Sequence, residues 1–258
     1  MRTKINRVCN FVGASLALIA AAITGAVAMN PCLARCILLS RVQLVKIEPE
    51  VYVEHGMTRN ALAKLQADVE QARERVQAFL GGQLRAPVVL VGGLEVFRCY
   101  GPPSGEDLSM THTSPVADYI VIGLSGENID CLSHEMVHAE LHRRLGILRY
   151  SQGAIPLWFE EGAAMYVDAR PEFDESVYQQ RTGGGVRAQA LSAISRRADF
   201  YANDAYSAFL TSKHVFAKWF ITAHREGLDE LIARIRNGEN FAKVLVDIGA
   251  RSPKLQRP

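Results

Sequence analysis

His134-Glu135-Met136-Val137-His138 sets two imidazoles four positions apart, with a carboxylate next to the first. On a helix, four residues turn through about 400°, so His134 and His138 project from one face a turn apart. That spacing lets two ring nitrogens converge on one tetrahedral metal ion, and zinc is the expected one. Glu135 is rotated away by about 100°. It is placed to flank the metal and reach a bound water without being a ligand. Zinc lowers the pKa of such a water toward about 7, and the carboxylate takes its proton. The plain alternative is an amphipathic helix with two histidines on a wet face.

A hydrolytic zinc site needs a third protein ligand and an open position. His142 is one turn further along, but a rigid helix drifts by another 40° or so and carries it past the metal. A metzincin continuation needs Gly at 141 and His at 144; the chain has Leu141 and Arg144. The second acidic element is Trp158-Phe159-Glu160-Glu161-Gly162. Together with the histidine motif it resembles the gluzincins, specifically the peptidase MA-like metallopeptidases. Their second helix carries Trp, an apolar residue, any residue, then Glu-Gly. In the aminopeptidase-type relatives the Glu before that Gly binds zinc. The resemblance therefore implies Glu161 as third ligand, with Glu160, about 100° around the helix, as the alternative. Gly162, Ala163 and Ala164 are small enough to let this helix pack closely on the motif helix.

The resemblance spans about residues 50–248 and implies a peptidase. The aminopeptidase string Gly-x-Met-Glu-Asn is not matched by Gly92-Gly93-Leu94-Glu95-Val96, so aminopeptidase activity is not implied. Relatives often stabilise the oxyanion with a Tyr or His well after the third ligand. Tyr206, in Asp204-Ala205-Tyr206-Ser207, resembles that stretch; Tyr201 and His214 are the alternatives. Asp168 is a candidate to orient a ligand histidine, against a plain exposed Asp at a helix end. Cys131 would close the site as a fourth ligand, so it reads as structural.

These residues need elements to hold them. Residues 42–53 suggest one or two short strands. Thr58 caps a helix to about Leu80, with Leu62, Leu65, Val69, Ala72, Val76 and Phe79 on one face and Gly81-Gly82 ending it. Pro87–Val91 and Tyr119–Ile122 read as buried strands. Between them lies a loop over 101–117, with a short edge strand near Leu108–Thr111 as the expected place for substrate pairing. The motif helix follows Ser125–Asn128 and stops at Gly146. Pro156 suits the first position of a helix to about Val167. Residues 169–187, with Gly183-Gly184-Gly185, read as a mobile loop. Three or four helices follow, with breaks near Asp199, Gly227 and Gly238.

The chain has 258 residues, 48% hydrophobic and 22% charged. That composition excludes a disordered chain, a collagen and a polytopic membrane protein. Arg2, Lys4 and Arg7 precede an uncharged run, Phe11–Met29. This is either a retained membrane anchor or a signal cleaved near Ala28. The body is then exported, facing the periplasm or another extracytoplasmic side. Past residue 28 the balance is 26 basic against 27 acidic residues, so nothing favours nucleic acid. Cys32, Cys36, Cys99 and Cys131 allow three pairings, one being Cys32–Cys36 with Cys99–Cys131.

The expected fold is an α+β, zincin-like domain at residues 51–250, with a small mixed sheet and a helical C-terminal half. Before it come the apolar segment (1–29) and a linker with a first strand (30–50); a tail (251–258) follows. The expected activity is that of a zinc metallopeptidase, with endopeptidase cleavage favoured by an open cleft and peptides or proteins as substrates. The alternative is a zinc-binding, non-proteolytic envelope, assembly or partner-binding protein.

Overall fold

The computed structural model describes residues 31–38, 44–101, 109–114, 117–202 and 204–251. The apolar run Phe11–Met29, its cleavage site and most of the C-terminal tail lie outside them. Among the described residues no helix is long and apolar enough to cross a membrane.

The fold is α+β, built on a mixed five-stranded sheet. Its strands are β1 (Leu44–Glu48), β2 (Val51–Glu54), β3 (Val88–Gly92), β4 (Ser109–Thr113) and β5 (Asp118–Gly123), in the order β1-β2-β3-β5-β4. β2, β3 and β5 run parallel, and both outer strands pair antiparallel. The inner strands are buried on both faces, and their alternation separates two cores. Val51, Val53, Val89, Val91, Ile120 and Ile122 face the larger core. Leu44, Val88, Leu90, Tyr119 and Val121 face the smaller one.

The smaller core is closed by α1 (Pro31–Leu38) and α3 (Leu94–Tyr100). Pro31–Leu38 and Leu44–Glu48 therefore pack into the fold, and Cys36 is fully buried. The larger core is covered by α2 (Arg59–Leu80) and α4 (Ile129–Leu145). Thr58 caps α2, accepting from Ala61 N–H, and Gly81 ends it. All four described cysteines are free. Cys99 lies on α3 and Cys131 on α4, on opposite faces of the sheet, so the Cys99–Cys131 pairing does not form. Cys32 and Cys36 are one turn apart on α1 and remain thiols.

The C-terminal half is helical. After α5 (Ile147–Ser151) comes α6 (Leu157–Tyr166), followed by α7 (Glu175–Thr182), α8 (Arg197–Ala202), α9 (Ala205–Arg236) and α10 (Phe241–Arg251). The expected loop over 169–187 instead contains a 3₁₀ turn, Pro171–Phe173, and α7; Gly183, left-handed at φ 63°, terminates that helix. The break expected near Gly227 falls at His224, φ 55°. Gly227 serves packing, because a Cβ there would lie 3.0 Å from Ile248 on α10. The break expected near Asp199 falls at Ser195 and Arg196, just ahead of α8, and Asp199 lies inside that helix.

Asp118 opens β5 with one buried carboxylate oxygen lacking a partner, and burial pushes its carboxyl up to about 6. An unfolded chain releases that proton near pH 3.9. The folded pKa is the higher one, so stability falls as pH rises from about 4 to 6. Partial exposure limits the loss to about 1–2 kcal/mol. Asp118→Asn should raise the melting temperature at pH 7 by about 2–6 °C and leave it unchanged at pH 4, as read by thermal melts at the two pH values.

Candidate metal centre

α4 is the helix on which the site is built. Asn128 caps it, its side chain accepting from Cys131 N–H at 2.9 Å, and Gly146 at φ 78° ends it. It is buried nearly all round, including His134, Glu135, His138, Glu140 and His142. Buried polar groups need partners, and the neighbouring elements supply them. Glu140 receives Arg143 and Arg144. The remaining four polar residues face β4 and α6.

α6 begins after Pro156, which takes the capping position rather than the first helical one. Glu160 and Glu161 follow within its first turns, where carboxylates suit the helix dipole. The helix is held against α9 at Gly162. A Cβ there would lie 2.5 Å from the Ser212 carbonyl oxygen and 2.7 Å from the Phe216 Cβ. Backbone contact at Gly162 thus fixes the residue before it. Phe159 packs edge-on against Phe216, Trp219 and Phe241.

These supports bring His134, His138 and Glu161 together. The two Nε2 atoms lie 3.1 Å apart. Glu161 Oε2 is 3.4 Å from His134 Nε2 and 3.3 Å from His138 Nε2. Glu161 Oε2 is buried and accepts no hydrogen bond. Burial alone would raise the Glu161 carboxyl, but the adjacent His138 and His134 hold it well below the usual carboxylate range. Burial likewise works to lower His138, yet Glu161 and Glu160 beside it make the ring markedly more basic than usual.

Glu160 lies on the far side of His138. Its Oε1 is 2.9 Å from His138 Nδ1, 3.1 Å from His142 Nε2 and 3.3 Å from the Tyr150 hydroxyl. Burial opposes ionisation of Glu160, but the two histidines lower it to about 2. His142 Nδ1 meets the Thr113 hydroxyl on β4. These contacts assign a proton to His138 Nδ1 and to His142 Nε2, leaving the His138 Nε2 lone pair aimed at His134 and Glu161. Burial keeps His142 less basic than usual despite Glu160.

Both His134–His138–Glu161 and His138–His142–Glu160 are buried groups that could hold a metal ion. They differ in hydrogen bonding. The second is a chain of matched donors and acceptors, complete without an ion. The first sets two imidazole nitrogens face to face beside an unpartnered carboxylate oxygen, an arrangement that a cation completes. His142 lies with Glu160, off the first group, as the drift of the helix requires.

Glu135 faces β4. Ser109 Oγ donates to its Oε1 at 2.8 Å and Thr111 Oγ1 to its Oε2 at 2.6 Å. β4 runs to Thr113, two residues beyond the expected edge strand, and is an outer strand of the sheet. Ser109, Thr111 and Thr113 occupy alternate positions and all contact α4. That period-two run of hydroxyls was the available sequence signal for these partners.

A cavity of about 730 Å³ opens over the triad, lined also by Glu135, Tyr201 and Arg197. Tyr206 does not line it; its hydroxyl donates to the Glu172 carbonyl and its ring packs on Phe173. Tyr201 does line it, its hydroxyl 3.3 Å from Glu161 Oε1. His214 is elsewhere, bonded to Glu175 and stacked on Tyr178. Asp168 is neither exposed nor bonded to a histidine: it is buried and held by Arg170. Cys131 lines the cavity as a buried thiol, raised by desolvation. The chain matches no model of a known protein family and no curated protein.

The geometry predicts one divalent ion per chain on elemental analysis, lost in Glu161→Ala. Glu160→Ala should keep the ion with about 10–100-fold weaker affinity, as expected when the group orienting a ligand histidine is removed. His138 must lose a proton to bind, and its folded pKa is raised, so competition titrations should show affinity increasing with pH.

Proposed function

We propose that this chain is a zinc-dependent metallohydrolase of gluzincin type that cleaves peptide bonds, with His134, His138 and Glu161 as the zinc ligands. The convergence of those three donor atoms carries the reading. A tetrahedron with zinc–nitrogen bonds of about 2.0–2.1 Å has edges of about 3.3–3.4 Å, and the donor separations are 3.1, 3.3 and 3.4 Å. Imidazole and carboxylate donors in a two-to-one ratio also suit a catalytic zinc.

Bound zinc supplies Lewis acidity, polarising a carbonyl and making water acidic. The chain's own residues do the rest. Glu135 takes a proton from the attacking water and passes it to the leaving amine. Ser109 and Thr111 donate to both its oxygens, holding it in one orientation. Glu160 holds the His138 ring through Nδ1. Tyr201, with its hydroxyl on the cavity wall, donates to the oxygen that becomes negative. An extended peptide adds to the outer edge of β4, unpaired among the described residues, exchanging main-chain hydrogen bonds and passing alongside Glu135. Export rests on Arg2, Lys4, Arg7 and the run Phe11–Met29.

Glu135→Gln should abolish cleavage of a mixed peptide pool while retaining the metal. Retained cleavage would overturn the proposal; metal binding without cleavage by the wild type would favour a non-proteolytic role. Tyr201→Phe should lower kcat by about 10²–10³-fold with little change in KM, whereas Tyr206→Phe should match the wild type in the same steady-state assay.

A further inference from the structure

The cavity carries two guanidinium groups, and they are not equivalent. Arg170 is neutralised in place: its Nε and Nη2 hold both oxygens of Asp168 at 2.5–3.0 Å. Among the described residues Arg197 has no such partner. Among the described residues its contact is the face of Tyr201, with the guanidinium carbon 5.4 Å from the ring centroid. Glu161 and Glu160 lie within its electrostatic reach, but Glu160 is bonded to His138 and His142 and Glu161 lies against His134 and His138. Arg197 therefore presents an open donor fork on the wall of a cavity built around the triad.

The support is firm. α8 has six residues, yet Phe200 is fully buried and packs edge-on against Phe209 at 5.0 Å. Arg197 and Tyr201 are four residues apart and share the α8 face toward the cavity. One small element thus carries both a hydroxyl beside the triad and a cation with open donors. A guanidinium is always charged, and its planar fork matches a carboxylate with two parallel hydrogen bonds.

We propose that Arg197 sets substrate preference by receiving a carboxylate of the bound peptide near the scissile bond. This rests on the metallopeptidase reading. The carboxylate comes from the peptide C-terminus or from an acidic side chain; the chemistry of recognition is the same.

Two measurements test it. In the first, kcat/KM is compared for peptides ending in a free acid or an amide, and for peptides with Glu or Gln beside the cleaved bond. One of the two acids should be favoured by about 10–100-fold, the range for a charged hydrogen-bonded pair. Arg197→Gln should bring the ratio close to one, and Arg197→Lys should keep part of it. In the second, calorimetry on the zinc-loaded chain compares a succinyl hydroxamate dipeptide with a free carboxylate against its carboxamide, and a Glu-bearing hydroxamate against the Gln form. The preferred acid should bind at least about tenfold tighter, and the gap should close in Arg197→Gln.

No acid preference in the wild type, a preference surviving in Arg197→Gln, or a uniform loss for acid and neutral substrates would each overturn the proposal. The two readings separate cleanly. Carboxylate-selective hydroxamate binding that is lost in Arg197→Gln, without peptide cleavage, upholds carboxylate recognition by Arg197 and removes the peptidase reading. Cleavage without acid preference does the reverse.

Discussion

The structure turns on the burial of a polar stripe. α4 is enclosed by the sheet and by other helices, yet it carries His134, Glu135, His138, Glu140 and His142 inside. A helix so placed is ordinarily apolar all round. Each of these groups would destabilise the fold if left without a partner. Much of the surrounding chain supplies partners. β4 contributes hydroxyls, α6 two glutamates, and the end of α4 the arginines on Glu140. Glu161 Oε2 is left over beside the Nε2 atoms of His134 and His138, and there a cation fits. Stability and chemistry are thus coupled: the groups that satisfy the stripe also orient the donors.

Elements with strong local signals were legible in the sequence. α2 is announced by Thr58, its apolar face and Gly81; β3 and β5 by short apolar runs; α4 by Asn128 and Gly146. The spacing of His134 and His138 translated directly into geometry, because helix periodicity is rigid. What was hidden depends on tertiary context. α7 has a polar sequence and buries only Tyr178 and Thr182, so no periodic stripe marks it. α1 and α3 are short and stable through mutual packing over the sheet. A Tyr-Ser pair ahead of a helix pointed to Tyr206, but the fold directs Tyr201 into the cavity. Gly227 looked like a breaker, although a helical glycine also serves where another helix comes close.

The role of Glu160 shows how neighbouring residues divide a task. Glu160 and Glu161 are adjacent and chemically identical, and helix rotation sends them to opposite sides of His138. One carboxylate faces Nε2 and the other Nδ1. The ring is gripped from both edges, which fixes its plane and its tautomer together. His142, unsuited to the first donor group, becomes useful in the second position by sharing Glu160 and linking it to Thr113.

The contact at Gly162 has a consequence for the order of assembly. Glu161 is seated only when α6 lies against Ser212 and Phe216, some fifty residues downstream. A nascent chain that ends before α9 already contains both histidines and both glutamates, but nothing clamps the carboxylate into register. Completion of the donor set therefore requires α9 to be docked. Immature or truncated chains would hold a metal loosely, and loading would report that the C-terminal half has docked.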